Sequence, residues 1–102
     1  MNPISRIKAL ALMRYHLAKQ DQWQRKVEAR ERENLHLVRR TRTQDWALSI
    51  PSLQMPEEYQ MKRMCDEDFW LKQYTGNRDH HQKQAMMWAA AADALREKTD
   101  DQ

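Results

Sequence analysis

The side chains able to do chemistry in this 102-residue chain are four histidines, one cysteine and 15 carboxylates. His80 and His81 are adjacent, so on a helix they project about 100° apart and not onto the single face that an i,i+4 zinc chelate uses. Neither a CxxC nor an HxxxH spacing occurs anywhere. The pair stands where a helix is expected to begin and reads as solvated, and no metal site is expected. Cys65 is followed by Asp66, Glu67 and Asp68, whose negative charge disfavours a thiolate nucleophile, so it reads as a small packing residue. Carboxylate neighbours such as Glu57 and Glu58, Asp66 and Asp68, or Asp100 and Asp101 would need a dry pocket to become general acids or bases, and this chain has little with which to enclose one. Gly76 is the single glycine, which excludes phosphate-cradling glycine loops. No catalytic residue, cofactor or small-molecule substrate is expected.

The strongest binding signal is the basic stretch Arg25, Lys26, Arg30, Arg32, Arg39, Arg40 and Arg42, interleaved with Glu28, Glu31 and Glu33. The forked donors of arginine suit phosphate, and Arg39, Arg40 and Arg42 at a helix end could lie along an RNA backbone. The same residues can instead form ion pairs along a long exposed helix, as in Glu28 with Arg32.

These residues need elements to hold them. Asn2 as N-cap and Pro3 at the first helical position start a helix, and neither Gly nor Pro recurs until Pro51. Residues 1–42 therefore read as one long basic helix, with a possible break near 20–24. Its apolar stripe is Ile7, Leu10, Met13 and Leu17, with Leu35 and Val38 at its end and Trp23 with Val27 as the only patch in the middle. Residues 43–56 alternate apolar and polar and contain Pro51 and Pro56, which predicts an extended apolar arm seated in a groove of this chain or of a neighbour. Residues 57–102 predict an antiparallel helical hairpin, with helices at about 57–74 and 79–99 separated by Gly76 and Asn77. The anchors expected to be buried, against partners or this chain, are Trp23, Trp46, Ile50, Leu53, Phe69, Trp70 and Trp88, joined by Leu71, Met87 and Leu95. The fold class is thus all-α, extended and non-globular.

Composition limits how such a chain folds alone. Leu, Ile, Val and Phe number 15 of 102, below the roughly 20% at which a chain readily builds its own core. The apolar remainder is mainly Ala, seven Met and four Trp, which suit close helix contacts and adaptable surfaces. A structural subunit held by several protein partners fits this better than a self-sufficient domain. No window approaches 18 uninterrupted apolar residues, so no transmembrane segment is expected.

Residues 1–50 carry 11 basic and 5 acidic side chains, whereas residues 51–102 carry 7 and 10. The halves are therefore expected to face different partners. The first 20 residues hold four basic side chains and no acid, which looks like an amphipathic mitochondrial targeting helix, here expected to be retained. Together these features predict a non-catalytic subunit of a mitochondrial ribosome on the matrix side, contacting rRNA and neighbouring proteins. The alternatives are an accessory subunit of a respiratory complex or ATP synthase, and a small helical bacterial or phage regulator.

Overall fold

The computed structural model describes residues 3–44 and 54–100, with side chains described for 5–44 and 54–96. Three α-helices and no strand occur among the described residues: α1 Pro3–Arg42, α2 Glu57–Glu67 and α3 Phe69–Asp100. The all-α class, the long first helix and a helical hairpin are as expected, whereas residues 45–53 of the expected extended arm lie outside the described residues. Trp46, Ile50 and Leu53, the arm's expected anchors, lie outside the described residues.

The first helix runs unbroken through 20–24, because nothing there removes a backbone donor or favours another conformation. Arg39, Arg40 and Arg42 occupy its last turn, where cations complement the negative end of the helix dipole. The turn closes as Thr43 N–H and Thr43 Oγ1 both donate to the Arg40 carbonyl, and Gln44 N–H donates to that of Thr41. At the start of α2, Tyr59 and Gln60 donate to the Pro56 carbonyl, with Glu57 and Glu58 in the first turn.

The next boundary is where the structure departs from expectation. Helix α2 stops at Glu67, not at Tyr74, and α3 passes straight through Gly76 and Asn77, with no start at Asn77 or Asp79. Asp68 breaks the chain with ψ 106°, an extended conformation that ends one helix while its side chain opens the next. Its Oδ1 accepts from the backbone N–H of Trp70 and Leu71 at 3.1 and 3.2 Å, which makes Asp68 the N-cap of α3. Gly76 has helical backbone and nothing within 4 Å of where a Cβ would stand. Gly76→Ala is therefore expected to stabilise the protein by about 0.5–1 kcal/mol, read as a raised urea midpoint at unchanged slope.

The chain divides into two compact units, residues 25–75 and residues 1–24 with 76–102. In the 25–75 unit, α1 lies antiparallel to α2 and the first turns of α3, since Arg39 meets Glu57 and Arg30 meets Asp68. Val27, Val38 and Leu71 are its buried apolar residues, accompanied by buried Asn34, Gln60 and Asp68. In the other unit, Gln24 meets Arg78 and His16 meets His81, again antiparallel, around buried Ala9, Ala85 and Ala92. Alanine at these positions lets two helix backbones come close, though it buries little surface per residue.

The expected apolar stripe is only partly used. Leu10 and Met13 are half-buried, but Ile7 and Leu17 face solvent, because the close contact centres on Ala9. Trp23, Trp88 and Leu95 are half-buried, whereas Phe69, Trp70 and Met87 are exposed on this chain, so this chain's own core does not bury these three, and Met55 is exposed as well. With the break at Asp68, the face of α3 turned inward carries Leu71 and leaves Phe69 and Trp70 outside.

Candidate functional site

Asp68 is the hub of the 25–75 unit. Beyond capping α3, its carboxylate receives Arg30 Nε at 2.6 Å and Arg30 Nη2 at 3.2 Å, a two-pronged charged pair, and Asn34 Nδ2 at 2.9 Å. The bonds from Arg30 hold the Asp68 carboxyl at a pKa of about 2, helped by Asn34 and the Leu71 amide and opposed by burial. The Arg30 guanidinium is held charged more firmly in return, chiefly by the same hydrogen bonds. Cys65 lies beside the hub, its Sγ 4.0 Å from Asn34 Nδ2, and burial pushes its thiol up. The setting opposes nucleophilic use of the thiol, in line with a packing role.

Above this neutralised floor opens a concavity of about 620 Å³. Asn34, Leu37, Val38 and Thr41 line it from α1, Tyr59, Gln60, Arg63, Met64 and Glu67 from α2, and Phe69 and Trp70 from the start of α3. These residues recur every three or four positions along two antiparallel helices, so the hollow is a groove running along them. Phe69 and Trp70 meet edge to face with ring centroids 5.3 Å apart, and Trp70 continues to Tyr74 at 6.4 Å. The rim carries Arg63 and Glu67, paired at 3.4 Å and both well exposed.

The basic stretch is dispersed by this arrangement. Arg30 is committed to Asp68, with Glu33 at 3.8 Å, and Arg39 Nε lies 3.0 Å from Glu57 Oε1. The Arg42 guanidinium donates to the Met55 carbonyl, and Lys26 Nζ stands 5.9 Å from the centre of the Tyr74 ring. Arg25, Arg32 and Arg40 are exposed. Two of the three terminal arginines therefore have internal work, although the Arg39 pair is exposed and of small energetic value. Asn34, Leu37, Thr41, Tyr59, Gln60, Arg63, Met64 and Asp68 also build the groove, and none is a candidate binding residue by sequence. Only Asp68 carried a readable signal, an aspartate just before the apolar run Phe69-Trp70-Leu71.

A second polar cluster belongs to the unit of residues 1–24 and 76–102. His16 Nδ1 and His81 Nδ1 lie 2.9 Å apart, with Tyr15 edge-on to both rings and the His80 ring 5.2 Å from that of His81. His80 is solvated, as expected, but His81 is half-buried and bonded across to α1. Burial pushes the His81 pKa below the usual 6.5, and its electrostatic coupling to His16, His80 and Lys19 acts in the same direction. A histidine with a depressed folded pKa takes up its proton more readily when unfolded, so stability falls as pH drops through about 6.5. The thermal midpoint is expected to decrease between about pH 8 and 5, and His81→Gln should flatten that dependence.

Among the described residues no group of three or more His, Cys, Asp or Glu is placed to hold a metal ion, and no helix is long and apolar enough to cross a membrane. No protein-family model matches the chain, and neither does any curated protein or solved structure.

Proposed function

We propose that this protein is a non-catalytic structural subunit that works by docking on other proteins of a large assembly. The observation that carries this reading is the inversion of its apolar residues. No large side chain among those described is fully buried, while ten large apolar ones, Ile7, Tyr15, Leu17, Leu37, Met55, Tyr59, Phe69, Trp70, Met86 and Met87, are exposed. Soluble monomers rarely gather apolar side chains into one large exposed surface, and where they do a partner is the usual reason. The groove of the 25–75 unit gathers Leu37, Tyr59, Phe69 and Trp70 into one surface.

Within that class the reading favours a protein-contacting accessory subunit, such as one of a respiratory complex or ATP synthase, since Arg30, Arg39 and Arg42 are engaged inside the chain. A mitochondrial ribosomal subunit is the second reading, supported by exposed Arg32 and Arg40. The acid-free basic start agrees with a mitochondrial location for either. Sedimentation of native extract before and after ribonuclease treatment tests both. Co-migration with a large particle that survives ribonuclease supports the first reading, and release by ribonuclease moves the second ahead. Migration as a free small protein in both samples would sink the assembly reading altogether.

A further inference from the structure

In the unit of residues 1–24 and 76–102, α1 is tied to α3 by two titratable rings. His16 Nδ1 and His81 Nδ1 are 2.9 Å apart and the ring centres 5.1 Å apart. The distance beyond the nitrogens is therefore taken up almost wholly by the two ring radii, and the nitrogens point at one another. This is a head-on hydrogen bond, in which one Nδ1 carries a proton and the other offers a lone pair.

That geometry limits how many protons the pair can take up. With both rings neutral there is one N–H and one lone pair, and the bond forms. A first added proton goes to Nε2 of the donor ring, whose Nδ1–H then donates with the strength of a charged group. A second can only occupy the lone pair that accepts the bond, which leaves two N–H groups and two like charges facing each other. The contact survives one added proton and not two. Sites coupled in this way titrate as a pair, in two separate steps.

The surroundings do nothing to hold the doubly charged pair together. Tyr15 stands edge-on to both rings from α1, with Lys19 Nζ 5.9 Å from the centre of its ring, and from α3 the His80 ring lies 5.2 Å from that of His81. Among the described residues no carboxylate bears on His81, and neighbouring Asp79 is paired with Arg78 at 3.1 Å. The buried apolar residues of this unit are three alanines, Ala9, Ala85 and Ala92, each of which buries little surface. The 25–75 unit is held differently, by the Arg30–Asp68 pair, whose carboxyl has a pKa of about 2 and keeps its charge in mild acid.

We propose that the His16–His81 bond is an acid-released latch: uptake of two protons by the pair parts α1 from α3 within residues 1–24 and 76–102 and leaves the 25–75 unit folded. The acid loss of stability is then local to one unit and follows the second proton, and it does not depend on what the protein docks on.

Hydrogen exchange of the full chain, read by mass spectrometry between about pH 7.5 and 5 and corrected for the intrinsic pH dependence of amide exchange, is the test. Amides of 5–24 and 76–96 are expected to lose roughly tenfold or more of their protection, while those of 25–42 and 57–75 keep theirs. The imidazole resonances of the wild-type chain should show the pair titrating in two steps, with the loss of protection at the lower one. A glutamine amide can donate to or accept from the remaining ring whatever its charge. His16→Gln and His81→Gln should therefore each stay closed at about pH 5, whereas His80→Gln should still open. Protection lost evenly across both units, or kept throughout at about pH 5, overturns the proposal. Opening at the first titration step, or a His16→Gln chain that opens as wild type does, overturns it equally. The exchange and resonance measurements on wild type need no substitution, so they decide the matter even where a glutamine variant fails to fold.

Discussion

Asp68→Ala is expected to be the most damaging single substitution in the 25–75 unit, lowering stability by about 3 kcal/mol. Two losses combine. The Arg30 pair and the Asn34 bond disappear from a carboxylate whose side chain is only 5% exposed, and α3 loses the acceptor for the N–H groups of Trp70 and Leu71. Arg30 keeps partial access to water, with a side chain 32% exposed, which holds the effect near the lower end of what breaking an enclosed ion pair produces. For a chain of this size such a loss moves the thermal midpoint by more than about 10 °C, measurable by circular dichroism. Asp68→Asn, which preserves an acceptor for the cap but not the charge, should lose roughly half as much. An Asp68→Ala midpoint within a degree or two of wild type would show that the hub does not hold the unit together.

The same carboxylate makes an acid signature. Its pKa is about 2 in the folded protein against an ordinary 3.8. A depressed folded value means that the stabilisation is present above about pH 4 and is lost as pH falls toward 2. The amount is on the order of 2 kcal/mol. Asp68→Asn should remove this acid limb and leave the fall below about pH 6.5 that His81 contributes, so the two origins separate on one pH profile.

Asp68 is hard to find in the sequence for a physical reason. Asp66, Glu67 and Asp68 form a run of three acids, and such runs ordinarily mark a solvated face. The competing signal is positional, an aspartate before Phe69-Trp70-Leu71, and by residue type it is a weaker helix boundary than Gly76. A glycine within a helix, however, is unfavourable by only about 1 kcal/mol, which the hydrogen bonds and contacts of a 32-residue helix absorb. The first helix was legible for the opposite reason, because 47 residues between Pro3 and Pro51 contain neither Gly nor Pro. The arginine partners were illegible because they are not helical neighbours. Arg39 and Glu57 are 18 positions apart and Arg30 and Asp68 are 38 apart, so counting i,i+4 pairs inside α1 could reach neither. His16 and His81 are likewise 65 positions apart, and only the fold joins them.

The misplaced break also explains a reversed expectation about the anchors, and it sets the second large effect. Continuing one helix from Pro56 to Tyr74 puts Trp70 and Leu71 together on a broad apolar face. Ending that helix at Glu67 and restarting at Phe69 shifts the phase, so that Leu71 is 6% exposed while Trp70, its neighbour, is 55% exposed. Leu71→Ala should therefore lower stability by about 2–4 kcal/mol, as the loss of a buried leucine leaves a cavity beside the Asp68 hub. Trp70→Ala, although it removes a far larger side chain, should stay within about 1 kcal/mol when measured on the dilute chain, since at least half of the ring already meets water. Urea titration of both variants, at a concentration too low for association, decides the matter. If Trp70→Ala is the more damaging of the two in the dilute chain, the break at Asp68 is misplaced and Trp70 belongs to the core. If instead its effect grows with protein concentration while that of Leu71→Ala does not, Trp70 holds a partner and Leu71 holds the fold.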